Sequence, residues 1–199
     1  VMESLLAIGN GYIGSRAVLE GIPMNAYAGT YFAGIYDITG AQVTEIINAP
    51  NPFSFKIVID GEKLDLGTMD IVDHLRILDM KRGILVRKTL FLNRNKKRFD
   101  YQSLRFVSMH DKHVACMQIY LTALDGKCKF TVENAIDTSV TNKGLITEGR
   151  KKHFHITDVE KIGGINYLCV KTLDKETLLA YASQLNVKKE NRTFSAPHR

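Results

Sequence analysis

Phe53-Ser-Phe-Lys-Ile-Val-Ile59, then Asp60-Gly61, then Glu62-Lys-Leu-Asp-Leu66, places alternating apolar and polar residues before a two-residue turn and a second short run after it. Successive side chains of a strand point to opposite sides, so Phe53, Phe55, Ile57 and Ile59 share one face. Asp-Gly suits the turn, because both central residues of a type I′ turn take positive φ. The stretch reads as a β-hairpin with one buried face. Leu124-Asp-Gly-Lys127 carries the same signal and predicts a second hairpin, joining Val114–Leu121 to Cys128–Val132.

Working outward, period-two alternation continues. In residues 70–80, Ile71, Leu75 and Leu78 also suit a helical face, with Asp70 as its cap. Met80-Lys-Arg-Gly83 reads as a hairpin loop, and Ile84–Leu92 follows as a strand, so the region is assigned as strand, turn, strand. Tyr101–Met109, Phe154–Val159, Tyr167–Thr172 and Leu178–Val187 extend the series. About ten or more strands separated by polar turns predict an all-β, antiparallel two-sheet sandwich rather than βαβ units.

A chain of 199 residues, 45% of them hydrophobic, buries one core, and a single domain over 1–199 is expected. There is no apolar run of about 18 residues, so no membrane-spanning helix is indicated. The net charge of +6 comes from dispersed groups such as Asn93-Arg-Asn-Lys-Lys-Arg98 and Gly149-Arg-Lys-Lys-His153. These fall between alternating segments, where solvated loops are expected, and no aromatics interleave with them as a nucleic-acid stacking platform requires. Cys116, Cys128 and Cys169 are odd in number and widely spaced, which suits reduced, buried thiols in a cytoplasmic protein rather than disulfides or zinc. The sequon Asn191-Arg-Thr193 reads as chance in that setting.

Glu3-Ser-Leu-Leu-Ala-Ile-Gly-Asn-Gly-Tyr-Ile-Gly-Ser-Arg16 holds three glycines within six residues, followed by Glu20-Gly21 and Gly29-Thr-Tyr-Phe-Ala-Gly-Ile-Tyr-Asp37. The spacing is not the dinucleotide fingerprint, whose third glycine comes one place later and opens a helix. With Glu45-Ile-Ile-Asn-Ala-Pro-Asn51, Leu78-Asp-Met-Lys-Arg-Gly-Ile-Leu-Val-Arg87, Arg105-Phe-Val-Ser-Met-His-Asp-Lys-His113 and Asp137-Thr-Ser-Val-Thr-Asn-Lys-Gly144, the string resembles, in order, the N-terminal domain of glycoside hydrolase family 65. That family comprises maltose, trehalose and kojibiose phosphorylases and related α-glucosidases. The resemblance implies a large sandwich of the galactose-mutarotase-like type, cut at both ends and lacking the catalytic (α/α) barrel that follows it. It implies a parent that cleaves α-linked glucose disaccharides with inversion, most simply by phosphorolysis to β-glucose 1-phosphate. Inorganic phosphate is then a co-substrate and no cofactor is needed. The implied partners are the C-terminal barrel of the same polypeptide, the disaccharide and a second copy in a homodimer.

No catalytic residue is assigned within the chain. Asn10, Tyr12 and Arg16 are the substrate-binding candidates, on a glycine-rich loop facing the barrel, where amide and guanidinium offer hydrogen bonds and the phenol a stacking face. The competing reading is a tight structural crossing with Tyr12 in the core. His153 and His155, two apart on one strand, have metal-site spacing but basic neighbours, so they read as surface histidines. Asp37, Glu45, Asp73, Asp79 and Asp137 lie at turns or strand ends and read as solvated. His110 and His113, with Glu133 as base, would serve a mutarotase if they converged. A free-standing carbohydrate-binding module is the other alternative, disfavoured because Trp is absent.

Overall fold

The computed structural model describes residues 2–20, 27–39, 43–143 and 149–189. Gly21, Gly144 and the 191–193 sequon lie outside the described residues.

Among the described residues the one helix is a single turn, α1 (Met2–Leu5), and all other regular structure is strand. β1 (Ile8–Gly9), β2 (Ile13–Ser15) and β3 (Thr30–Phe32) form a small sheet in that order, and β4 (Tyr36–Asp37) pairs with β5 (Glu45–Ile46). β6 (Asn51–Ile59) and β7 (Glu62–Lys63) make the hairpin at Asp60-Gly61, whose φ values are 49° and 84°, as a type I′ turn demands. β8 (Asp70–Asp79), β9 (Ile84–Leu92), β10 (Arg98–Val107) and β11 (Ala115–Ala123) form the four-stranded sheet β11-β10-β9-β8. β12 (Phe130–Asp137) lies on the other side of β6, and β13 (Asn142–Lys143) pairs with β14 (Arg150–Lys151). β15 (Phe154–Ile162), β16 (Ile165–Thr172) and β17 (Leu178–Gln184) form the last sheet among the described residues, in that order. Every pairing is antiparallel.

Residues 70–79 are extended, and Gly83 at φ 67° closes the turn into β9, so the strand–turn–strand assignment holds. The second Asp-Gly expectation does not. Asp125-Gly126 turns the chain, but β11 pairs with β10 whereas β12 pairs with β6. The segment is a crossover between layers. A local turn signal fixes the bend and leaves open which strand the emerging chain will join.

The layers pack face to face as a β-sandwich with two apolar clusters. Ile57, Ile59, Leu64 and Met69 meet Phe91, Phe99 and Tyr101, whose rings include a Phe91–Phe99 stack at 5.4 Å. At the other end Leu85, Val107 and Phe53 pack with Ile8, Ile13 and Phe32, and with Leu168, Val170 and Leu179 of β16 and β17. β12 is tied to this neighbouring sheet by Asn134 Nδ2 donating to Ser183 Oγ (2.8 Å) and Asn166 Nδ2 donating to the Asn134 carbonyl (3.2 Å). Apolar burial of this kind, at about 25 cal/mol per Å², drives the association of the layers.

Candidate functional site

The glycine-rich string folds as the β1–β2 hairpin, with Gly11 at φ 86° in a left-handed conformation that side chains disfavour. Asn10 sits at its turn and is buried. Its Oδ1 accepts from the backbone N–H groups of Tyr12 (3.0 Å) and Ile13 (2.8 Å). Its Nδ2 donates to the carbonyls of Ser108 (2.7 Å) and Lys112 (3.0 Å) in the β10–β11 loop. That loop holds itself in shape: Ser108 Oγ accepts from Asp111 N, and Asp111 Oδ1 from His113 N. Asn10 is thus the clamp between two loops, with all its amide atoms engaged inside the domain. Tyr12 lies on the clamp, edge-on to Phe32 (5.6 Å) and to the exposed His113 ring (4.5 Å). The hairpin is therefore a tight structural crossing, with Tyr12 half-buried against the apolar cluster of Ile8, Ile13 and Phe32.

Arg16 stands one strand further on. Its guanidinium lies 4.9 Å from the centre of the Tyr27 ring, 3.9 Å from Glu3 and only partly exposed. Tyr27 also shares a hydrogen bond with Tyr31, whose phenol is pushed up to about 12 by burial and by that bond. Arg16, Tyr27 and Tyr31 make a cation–aromatic patch beside the hairpin.

A charged cluster that the sequence reading passed over lies between the two apolar clusters. Residues 17–20 run across the inner face of the four-stranded sheet without forming a ladder, and three arginines from adjacent strands take their carbonyls. Arg76 Nη1 donates to Ala17 O (3.2 Å), Arg105 Nη2 to Val18 O (2.9 Å) and Arg87 Nη1 to Glu20 O (2.7 Å). The Glu20 carboxylate is buried between Arg87, at 2.7 Å, and Arg105. Burial alone would raise the Glu20 carboxyl, but Arg105 and Arg87 outweigh it and hold it below the usual carboxylate range. Beside it His74 Nδ1 bonds Thr89 Oγ1 (2.9 Å); burial, then Arg87, pushes the imidazole below its ordinary value. The signal was in the alternation. Leu85, Thr89 and Phe91 face inward, so Arg87 must too, and Tyr101 and Val107 place Arg105 likewise.

The buried environment of Asp37 and His153 corrects two expectations. Asp37 is fully buried, not solvated, and accepts from the N–H groups of Asp174 and Lys175 (both 3.1 Å) and from the Thr39 hydroxyl. These bonds and the nearby His153 hold its carboxyl low against the opposing effect of burial. His153 is buried too, not a surface histidine, and precedes β15 rather than sharing its face with the exposed His155. Its ring lies between Asp37 (3.5 Å) and Glu45 (3.7 Å), which approach opposite nitrogens and so share no common centre. Glu45 is partly buried for the same reason. Burial follows from tertiary contacts 100 residues or more apart, which turn-adjacent position cannot reveal. Asp79 does serve its turn, accepting from Arg82 N (3.0 Å) and pairing with its guanidinium (2.7 Å). Asp137 folds back on Ser139 N (2.8 Å), and Asp73 is exposed.

Glu133 pairs with Lys56 (3.2 Å) on the β12–β6 pair, in a different sheet from the loop that carries His110 and His113. Glu20, Tyr27, Phe55, Lys56, Glu133 and Arg150 are among the residues lining a groove of about 400 Å³. Both glutamates already have cationic partners. Among the described residues no group of three or more His, Cys, Asp or Glu side chains is arranged to hold a metal ion, and no helix is long and apolar enough to cross a membrane. The three cysteines are free but only partly buried, which corrects the expectation of buried thiols.

The chain is thus an antiparallel β-sandwich whose buried charges pair with its own loops. Residues 1–199 match the model of glycosyl hydrolase family 65, N-terminal domain, and the chain belongs to that family. It is 32% identical over 187 residues to a kojibiose phosphorylase of Thermoanaerobacter brockii, covering 93% of this chain and 24% of that protein. It is 37% identical over 133 residues to a nigerose phosphorylase of Lachnoclostridium phytofermentans, covering 67% of this chain and 17% of that protein. A solved structure described as a candidate kojibiose phosphorylase from the human microbiome superposes with a TM-score of 0.81 at 27% identity, over 98% of this chain and 26% of the other. The chain thus spans about a quarter of the length of the Thermoanaerobacter brockii phosphorylase and of the solved structure.

Proposed function

We propose that this chain is a single scaffold domain, non-catalytic by itself, of a cytoplasmic enzyme that phosphorolyses an α-linked glucose disaccharide. The observation that carries the reading is the family match over the whole chain, joined to relatives named as kojibiose and nigerose phosphorylases of about four times its length. In this reading an (α/α) barrel follows the domain in the same polypeptide and holds the chemistry. A phosphate oxygen attacks the anomeric carbon from the face opposite the leaving oxygen, and a carboxylic acid of the barrel protonates that oxygen as its bond to carbon breaks. Inversion gives β-glucose 1-phosphate and free sugar. Phosphate is the co-substrate, and no cofactor takes part.

The domain's share is to hold the glycine-rich loop against the barrel. Asn10 positions it, and Tyr12 and Arg16 contribute a stacking face and hydrogen-bond donors at the rim of the substrate pocket; a homodimer completes the assembly. Support comes from the clamp, which fixes the Tyr12 backbone and leaves its ring on a rigid ledge.

The test is to supply the full-length protein with kojibiose, nigerose, trehalose and maltose, with and without phosphate, and to identify the released sugar. Glucose 1-phosphate formed only with phosphate supports the reading and names the linkage. Free glucose without phosphate moves the protein to the hydrolases of the family.

A further inference from the structure

The outward face of the four-stranded sheet is built for burial. Register puts Leu75 and Ile77 of β8, Ile84 and Val86 of β9, and Leu104 and Phe106 of β10 on that side, opposite the arginine-bearing side. Leu75 and Ile77 are 48% and 45% exposed, and the other four are partly exposed. β9 reads Ile84-Leu-Val-Arg-Lys-Thr-Leu-Phe-Leu92, two apolar triplets around Arg87-Lys-Thr89, with aliphatic residues on both sides of the strand. An antiparallel sheet with one face in water alternates apolar inward with polar outward, whereas here aliphatic side chains stand on the outward side as well. Here the outward face is the more aliphatic of the two at the sheet's centre. Neighbouring exposed aliphatic side chains of this kind are the material of an interaction surface.

The occupant can be narrowed. The family match makes this an N-terminal domain, and relatives that cover it have about three-quarters of their length outside the matched part. A covalently attached remainder meets this face at high effective concentration, which a second copy in dilute solution does not. Lys88, exposed amid the apolar residues, is opposite Leu75 on β8 and Gln102 on β10 and has no ion-pair partner among the described residues. The covering surface must bring an acceptor to it, a carboxylate or the free carbonyls of a helix C-terminus.

We propose that this outward face, centred on Val86 and Leu104, is the seat of the C-terminal remainder of the same polypeptide, which lays an apolar surface across it and offers an acceptor to Lys88. The inference rests on the scaffold reading above and adds to it the face through which the scaffold acts.

The experiment uses the full-length protein carrying Ile77→Cys or, as a second variant should the first misfold, Leu75→Cys. Modification of the new thiol by a maleimide is followed by peptide mass spectrometry, against the same thiol in the urea-unfolded protein. The expected result is a slowing of roughly a hundredfold or more, since thiol reactivity follows access. A photoactivatable cross-linker on the thiol is expected to join it to a residue beyond position 199 of the same chain. Modification at near the unfolded rate in a folded protein overturns the proposal, and so does a cross-link that joins two chains. Neither readout uses turnover, so an inactive protein with a protected thiol refutes the phosphorylase reading alone.

Discussion

The two faces of the β8–β11 sheet differ in a direction opposite to the usual one. The inward face has at its centre Arg76, Arg87, Arg105, Ser103 and Thr89, and the outward face has Ile77, Val86 and Leu104 at the matching positions. The inward charges are there because the segment crossing them is irregular. Buried carbonyls outside a ladder still need donors, and a long guanidinium can reach one from a neighbouring strand. The carboxylate of Glu20 then compensates the charge this imports. Among the described residues no hydrogen bond from the outward face holds such a segment, and that face is aliphatic. Polarity in this sheet therefore follows what each face touches.

The largest expected effect comes from breaking the inward cluster. Glu20→Ala leaves two buried guanidiniums without their carboxylate and is expected to cost about 3–5 kcal/mol, measured by urea unfolding. Replacing Glu20, Arg87 and Arg105 together by apolar residues is often neutral for a buried ion group. Here it should still destabilise, because the Val18 and Glu20 carbonyls lose their donors. A neutral triple variant would reduce the arginines to simple ion-pair partners.

Next in size is the clamp. Asn10→Ala removes four hydrogen bonds at a buried site and is expected to cost about 2–4 kcal/mol. Asn10→Asp keeps the two accepted bonds but sets a buried carboxylate oxygen against the Ser108 and Lys112 carbonyls, so it should cost at least as much as Asn10→Ala. Equal stability of all three proteins would mean that the loops hold their shape without the clamp.

A smaller effect lies in pH. Glu20 and Asp37 are both held below their ordinary values of 4.5 and 3.8. A depressed folded value contributes stability above the ordinary value and loses it as pH falls through the folded one. Unfolding midpoints should be level down to roughly pH 5 and decline below it, less steeply in Glu20→Gln. Smallest of all, Asp125→Ala should change stability little, although its bidentate pairing holds that carboxyl at about 2, because the Arg98–Asp125 pair is exposed to solvent.

These contrasts also show what the sequence could convey. Alternation and turn chemistry give β6, the Asp60-Gly61 hairpin and the 70–92 strand pair directly, since each joins strands adjacent in sequence through a short turn. The Asp125-Gly126 crossover was not legible, because the partner of β12 lies more than 70 residues upstream. The parity of Arg87 and Arg105 was legible, but a charge at an inward position is readily taken for surface until the chain crossing it is known. His153 between Asp37 and Glu45 required contacts that no local pattern encodes.

The most direct measurement compares two neighbours on one strand, Arg87→Met and Val86→Glu, by urea unfolding of the 199-residue chain. The inward substitution should cost about 3 kcal/mol or more, and the outward one less than about 1 kcal/mol even though it sets a carboxylate among aliphatic side chains. If Val86→Glu proved as costly as Arg87→Met, the outward face would already be buried within this chain, and the account of a two-faced sheet would be wrong.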